Sequence, residues 1–111
     1  KSYLHDSELV EAMIFVTKHK DVELCIQPTI INIGNNDDGV TVRQIAQAVT
    51  RRCSPHSEIS YEDKSYGWVG DVPRFKYDTS KLTSLGWSPV MNSTESVERA
   101  INEISIEHFD S

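Results

Sequence analysis

The sequence predicts a small α/β domain with more helix than strand, about four helices and two or three short strands in one mixed lobe. Three observations predict it. Apolar residues recur at helical spacing in several separated stretches, and short β-branched runs bounded by turn residues lie between them. The chain has 111 residues, enough for one modest core but not for two, since a chain of that size buries roughly 65% of the surface its unfolded form exposes. Hydrophobic residues at 38% and charged residues at 25% place it with globular chains rather than disordered or fibrous ones. Residues 1–111 therefore read as a single domain.

The elements follow in order. Lys1 to His5 is a strand-like opening run without an initiator Met, which suggests a piece of a longer protein. Ser7 to Lys18 reads as helix, with Leu9, Val10, Met13, Ile14 and Val16 on the face expected to be buried. Asp6 or Ser7 can cap its start, Glu8 and Glu11 suit the positive end of its dipole, and Lys18 and Lys20 the negative end. Gln27-Pro28-Thr29 interrupts the chain, and Thr29 to Ile33, closed by Gly34, reads as a buried strand. Asn35 to Gly39 is a turn by composition.

Thr41 and Gln44 have the spacing of a capping box, opening a second helix with Val42, Ile45, Ala46 and Val49 as its inward stripe and an end near Arg51-Arg52. Ser54-Pro55-His56-Ser57 breaks the chain, Ile59 and Tyr61 mark a further short strand, and Lys64 to Phe75 is a loop. Asp78 is expected to cap a short helix through Leu85, with Gly86 as its left-handed terminator and Pro89 preventing continuation. The last helix starts at Asn92 or Ser93, and its stripe is Val97, Ala100, Ile101 and Ile104.

Charge and cysteine usage narrow the function. Eleven Lys and Arg against 17 Asp and Glu leave a net charge of −6, which argues against nucleic acid, because a phosphate-binding surface shows clustered basic residues. No apolar run has the length of a membrane span, and no leader pattern precedes a cleavage site, so a cytoplasmic protein is expected. Cys25 and Cys53 lack metal or redox spacing and read as two free thiols.

Several motif matches fail on chemistry. Gly34 to Thr41 follows a strand-like run and opens a helix like a P-loop, but Val40 stands where the Lys belongs and two aspartates would repel phosphate. The same turn lacks the terminal bidentate Glu of a calcium loop. Tyr77 and Lys81 have the spacing of a dehydrogenase proton-transfer pair, yet they straddle a helix start and no glycine-rich dinucleotide loop exists in the chain. The four histidines share no ligand spacing, and the sequon at Asn92 coincides with a helix cap.

One stretch survives. Tyr66 to Phe75 packs aromatics, Asp71, Arg74 and two glycines into one loop. Glycines admit a ligand close to the backbone, Trp68 can stack on a planar group, Arg74 can fork onto a diphosphate, and Asp71 can accept from hydroxyls. The alternative is a loop whose Trp68 and Phe75 only cover the small core.

Four blocks in order resemble the extended short-chain dehydrogenase/reductase family, the NAD-dependent nucleotide-sugar epimerases and dehydratases, and specifically its C-terminal substrate-binding part. Lys1-Ser2-Tyr3-Leu4-His5 with Glu8-Leu9-Val10-Glu11-Ala12 is similar to the family's Arg-Asp-Tyr-Ile-His block and following helix. Asn32-Ile33-Gly34-Asn35 with Thr41-Val42-Arg43-Gln44-Ile45-Ala46 is similar to its Asn-Ile-Gly strand and helix. Gly70-Asp71-Val72 resembles its Gly-Asp-Val loop, and Asp78-Thr79-Ser80-Lys81 with Leu85-Gly86-Trp87-Ser88-Pro89 its terminal signature.

The resemblance implies a lobe that anchors the diphosphate of a nucleotide-sugar, UDP-hexose first, in a 4-epimerase type of parent enzyme. It implies NAD and the catalytic residues on an N-terminal Rossmann domain of the same protein, with none in this chain. Carried over, Lys1 is a diphosphate contact and Asp71 a polar contact in the nucleotide pocket. The departures matter. Trp68 occupies the family's loop-Arg position, so Arg74 or Lys64 must supply that charge, and Lys1 keeps charge but loses the bidentate fork of Arg. Asp6 stands where an apolar residue is usual, and Glu8 where Asp is common. Two other readings stand beside this one: the same lobe from a 4,6-dehydratase or reductase, and a non-catalytic module that binds a protein through Tyr66–Phe75.

Overall fold

In the computed structural model, residues 1–23, 26–63 and 75–108 are described. They form α1 (Asp6–Lys18), α2 (Lys20–Glu23), α3 (Val42–Cys53), α4 (Ser80–Leu85) and α5 (Ser93–His108), joined by extended segments and turns. No strand occurs among the described residues, so the architecture is helical and the α/β expectation is overturned.

The reason is visible in the backbone accounting. A β-branched run becomes a strand only when a neighbouring chain takes its N–H and C=O groups. In the opening run, Lys1 and Val40 exchange one reciprocal pair of bonds, Val40 N–H to Lys1 O at 2.7 Å and the Lys1 amino group to Val40 O at 3.1 Å. Beyond that pair, side chains take over. Tyr3 N–H donates to Ser93 Oγ (2.8 Å) and Tyr3 O accepts from Asn35 Nδ2 (2.6 Å). In the Thr29–Ile33 run, Lys81 Nζ donates to Ile30 O (2.8 Å) and Asn32 Nδ2 to Asp78 O (3.3 Å). Ile31 and Ile33 still alternate inward against the core while Ile30 points to solvent, so the run keeps a strand's period without its ladder. The Ile59–Tyr61 run is exposed, and Tyr61 lies under the Arg43 guanidinium at 3.8 Å instead.

Helix termini follow the sequence more closely. Thr41 Oγ1 accepts from Gln44 N–H and Gln44 Oε1 from Thr41 N–H, a complete capping box. Gly86 sits at φ +108 and closes α4 with its N–H on Thr83 O. Asn92 Oδ1 accepts from Glu95 N–H while Glu95 Oε1 accepts from Asn92 N–H at the start of α5. Two caps differ. His5, not Asp6 or Ser7, caps α1 through Nδ1, which accepts from Ser7 N–H. Thr79 occupies the cap position of α4, and Asp78 reaches over it to accept from Ser80 N–H and Oγ.

The core consists of Ala12, Leu82 and Trp87, with Phe15, Val16, Ile31 and Ile33 packed against it. It joins α1 to α4, and His19 reinforces the join with Nε2 3.0 Å from Leu85 O and its ring against Phe15. The face of α1 expected to be inside is outside: Leu9, Val10, Met13 and Ile14 are exposed, whereas Glu8 and Ala12 are buried. The stripes of α3 and α5 likewise turn out half-buried or exposed, with Val42 and Ile104 in solvent and Ser93, Ser96 and Ser105 buried in α5. α3 lies along α5, and Cys53 at its end is a free thiol; Cys25 lies outside the described residues.

Candidate functional site

Of the residues expected to hold a nucleotide diphosphate, Lys1 is described and Trp68, Asp71 and Arg74 lie outside the described residues, as does Lys64. The structure therefore establishes how the Lys1 arm is fixed.

The arm is fixed by backbone contact and by a polar knot. Gly39, at φ +84, lies against the Lys1 carbonyl so closely that a Cβ there would collide with Lys1 O. Asp37 Oδ1 accepts from Gly39 N–H (3.0 Å) and from Ser93 Oγ (2.6 Å), and its Oδ2 accepts from Ser93 N–H (2.7 Å). Burial pushes the Asp37 carboxyl up, but the bonds from Ser93 and Gly39 and the charge of Lys76 outweigh it and hold the group below its usual value. Asn35 donates to both Tyr3 O and Met91 O. Buried Glu8 accepts from Val90 N–H (2.7 Å) and Met91 N–H (3.0 Å). Each carboxylate oxygen thus meets a donor, as a polar group withdrawn from water requires.

The knot ties Lys1–Tyr3, the Asn35–Gly39 turn and the start of α5 into one unit. Glu8, Asn35, Asp37 and Ser93 went unrecognised as partners in the sequence, because their bonds span 32 to 90 positions and no local spacing signals them. The turn composition at Asn35–Gly39 is the one local trace, and the Asp37–Gly39 bond is its Asx turn. Lys81 donates to Ile30 O, which commits the amine of the Tyr77–Lys81 spacing to a backbone carbonyl. No helix among the described residues is long and apolar enough to cross a membrane.

Two clefts flank α5. One, about 310 Å³, lies between Tyr3–Asp6 and the α5 residues Ser96, Val97, Ala100, Glu103 and Ile104. The other, about 320 Å³, lies between Ala48, Arg51 and Arg52 of α3 and Glu98, Ile101 and Asn102 of α5.

Comparison with known proteins gives a distant, family-level link to the extended short-chain dehydrogenases/reductases. The relative is GDP-L-fucose synthase 1 of Arabidopsis thaliana, 31% identical over 94 residues, which cover 80% of this chain and 25% of the relative. The chain thus spans about a quarter of the length of the relative it matches. No family model and no solved structure matches it.

Proposed function

We propose that the chain is the nucleotide-sugar-binding lobe of an NAD-dependent epimerase or reductase, anchoring the nucleotide diphosphate while the chemistry proceeds on another domain. The observation that carries this reading is the similarity to GDP-L-fucose synthase across four-fifths of the chain, in a sequence whose blocks resemble the family in order. The relative's name points to a GDP-sugar rather than to the UDP-hexose expected first.

Lys1, Asp71 and Arg74 supply the polar contacts in this reading, and Trp68 a stacking surface. Anchoring at the diphosphate orients the sugar without contact at the reacting carbon. The chain contains no glycine-rich dinucleotide loop, so its residues do not fit NAD, and the cofactor belongs to a Rossmann domain elsewhere in the same, cytoplasmic, protein. The exposed apolar face of α1, Leu9, Val10, Met13 and Ile14, supports that partner, since an apolar helix face is built to be covered. Asp71→Ala in the complete enzyme is expected to raise KM for the nucleotide-sugar about tenfold with kcat little changed, the signature of lost ground-state binding. An unchanged KM counts against the assignment.

A further inference from the structure

The backbone of the Lys1 arm is held on both sides of Ser2. On one side Val40 N–H donates to Lys1 O (2.7 Å) and Lys1 N to Val40 O (3.1 Å). On the other, Tyr3 N–H donates to Ser93 Oγ (2.8 Å), and that hydroxyl donates onward to Asp37 Oδ1 (2.6 Å). Asp37 joins the two holds. Its Oδ1 also accepts from Gly39 N–H (3.0 Å), next to Val40, and its Oδ2 accepts from Ser93 N–H (2.7 Å). Ser93 is 1% exposed, so water does not compete for these bonds.

Such rigidity has a use at this position. A Lys side chain is a point charge on a flexible stem, without the planar fork by which Arg fixes its own geometry on a phosphate. The entropy a flexible cation loses on binding is smaller when the backbone that carries it is already fixed. We propose, on the reading of Lys1 as a diphosphate contact, that Asp37 and Ser93 are positioning residues for that contact. They act through the backbone of Lys1–Tyr3 and set the place from which the Lys1 ammonium meets a phosphate.

Neither residue contacts the ligand in this role. A carboxylate repels a phosphate, and the Asp37 oxygens are turned to Gly39 and Ser93. Two substitutions cut the hold at different bonds. In Asp37→Asn the amide offers one acceptor atom where the carboxylate offers two, so the N–H of Gly39 or of Ser93 loses its acceptor. Ser93→Ala takes the acceptor from Tyr3 N–H and leaves the Asx turn of Asp37 and Gly39 intact.

The test is equilibrium titration of the complete enzyme, lobe and Rossmann domain together, with GDP and UDP and then with the nucleoside of the tighter one. Lys1→Ala is expected to weaken the diphosphate about tenfold, the loss of one charge-assisted contact, and to leave the nucleoside unchanged. Asp37→Asn and Ser93→Ala should each weaken the diphosphate about threefold, again with the nucleoside unchanged. Added to Lys1→Ala, Asp37→Asn should cost nothing further, because the residue through which it acts is gone. Diphosphate and nucleoside weakened in equal measure by both substitutions, losses that multiply in full with that of Lys1→Ala, or no loss in either variant overturns the positioning role while leaving Lys1 as a contact. Diphosphate affinity unmoved by Lys1→Ala overturns the reading of Lys1 itself, and the positioning role falls with it.

Discussion

Asp37 carries a pH signature set by the bonds it accepts from Ser93 and Gly39. Its folded carboxyl lies below the unfolded value of 3.8, so its ionised form is the one the fold prefers. A depressed acid contributes stability that is fully present above the unfolded value and is lost as pH falls through the folded one. Denaturant melts between pH 6 and pH 2.5 should therefore show an acid loss of stability that is reduced in Asp37→Asn. Glu8 makes a second prediction. Glu8→Ala leaves Val90 and Met91 N–H without their buried acceptor and should cost about 2 kcal/mol, read as a shift in urea midpoint at constant slope. Gly39→Ala meets both a positive φ and the Lys1 carbonyl, and should cost about 2 kcal/mol or more and loosen the opening arm.

At the scale of elements, α1 reverses the usual order of a surface helix. Its buried side carries Glu8 and Ala12, and its open side Leu9, Val10, Met13 and Ile14. Ile14→Glu should thus change the chain's own stability by no more than about 0.5 kcal/mol, whereas Ala12→Leu, at a fully buried position, should cost about 1–3 kcal/mol through overpacking; urea unfolding of the two variants reads the contrast.

That contrast also shows what the sequence could and could not tell. Local signals were legible: the Thr41–Gln44 box, the Gly86 terminator and the Asn92 start of α5 depend on residues within a turn of one another. Burial was not. Apolar spacing marks a face that avoids water, but it does not say what covers that face, and in α1 the side this chain covers carries Glu8 and Ala12. The strands failed for the same reason: Thr29–Ile33 has the composition and alternation of a strand, while its ladder depends on a neighbour that composition does not encode. At the site, the resemblance nominated Lys1, but the Asp37–Ser93–Tyr3 knot that fixes its arm joins distant positions and left no pattern to read.

At the scale of the whole molecule, the chain presents more surface than a self-contained domain of its mass. Its accessible surface is 8514 Å² for 12.6 kDa, against about 6,200 Å² from the scaling for folded monomers. Its radius of gyration is 17.3 Å, against about 13 Å for a compact domain of this length. The exposed surface includes apolar groups on α1 and at Ile30 and Val90.

The central claim, that the lobe holds a nucleotide-sugar diphosphate, is tested most directly by an amide NMR titration of the protein with GDP-L-fucose and then with UDP-glucose. The account predicts saturable shifts confined to the Lys1–Tyr3 arm and the Trp68–Arg74 stretch, stronger for one nucleotide than the other. A dispersed spectrum unmoved by millimolar concentrations of both would contradict it.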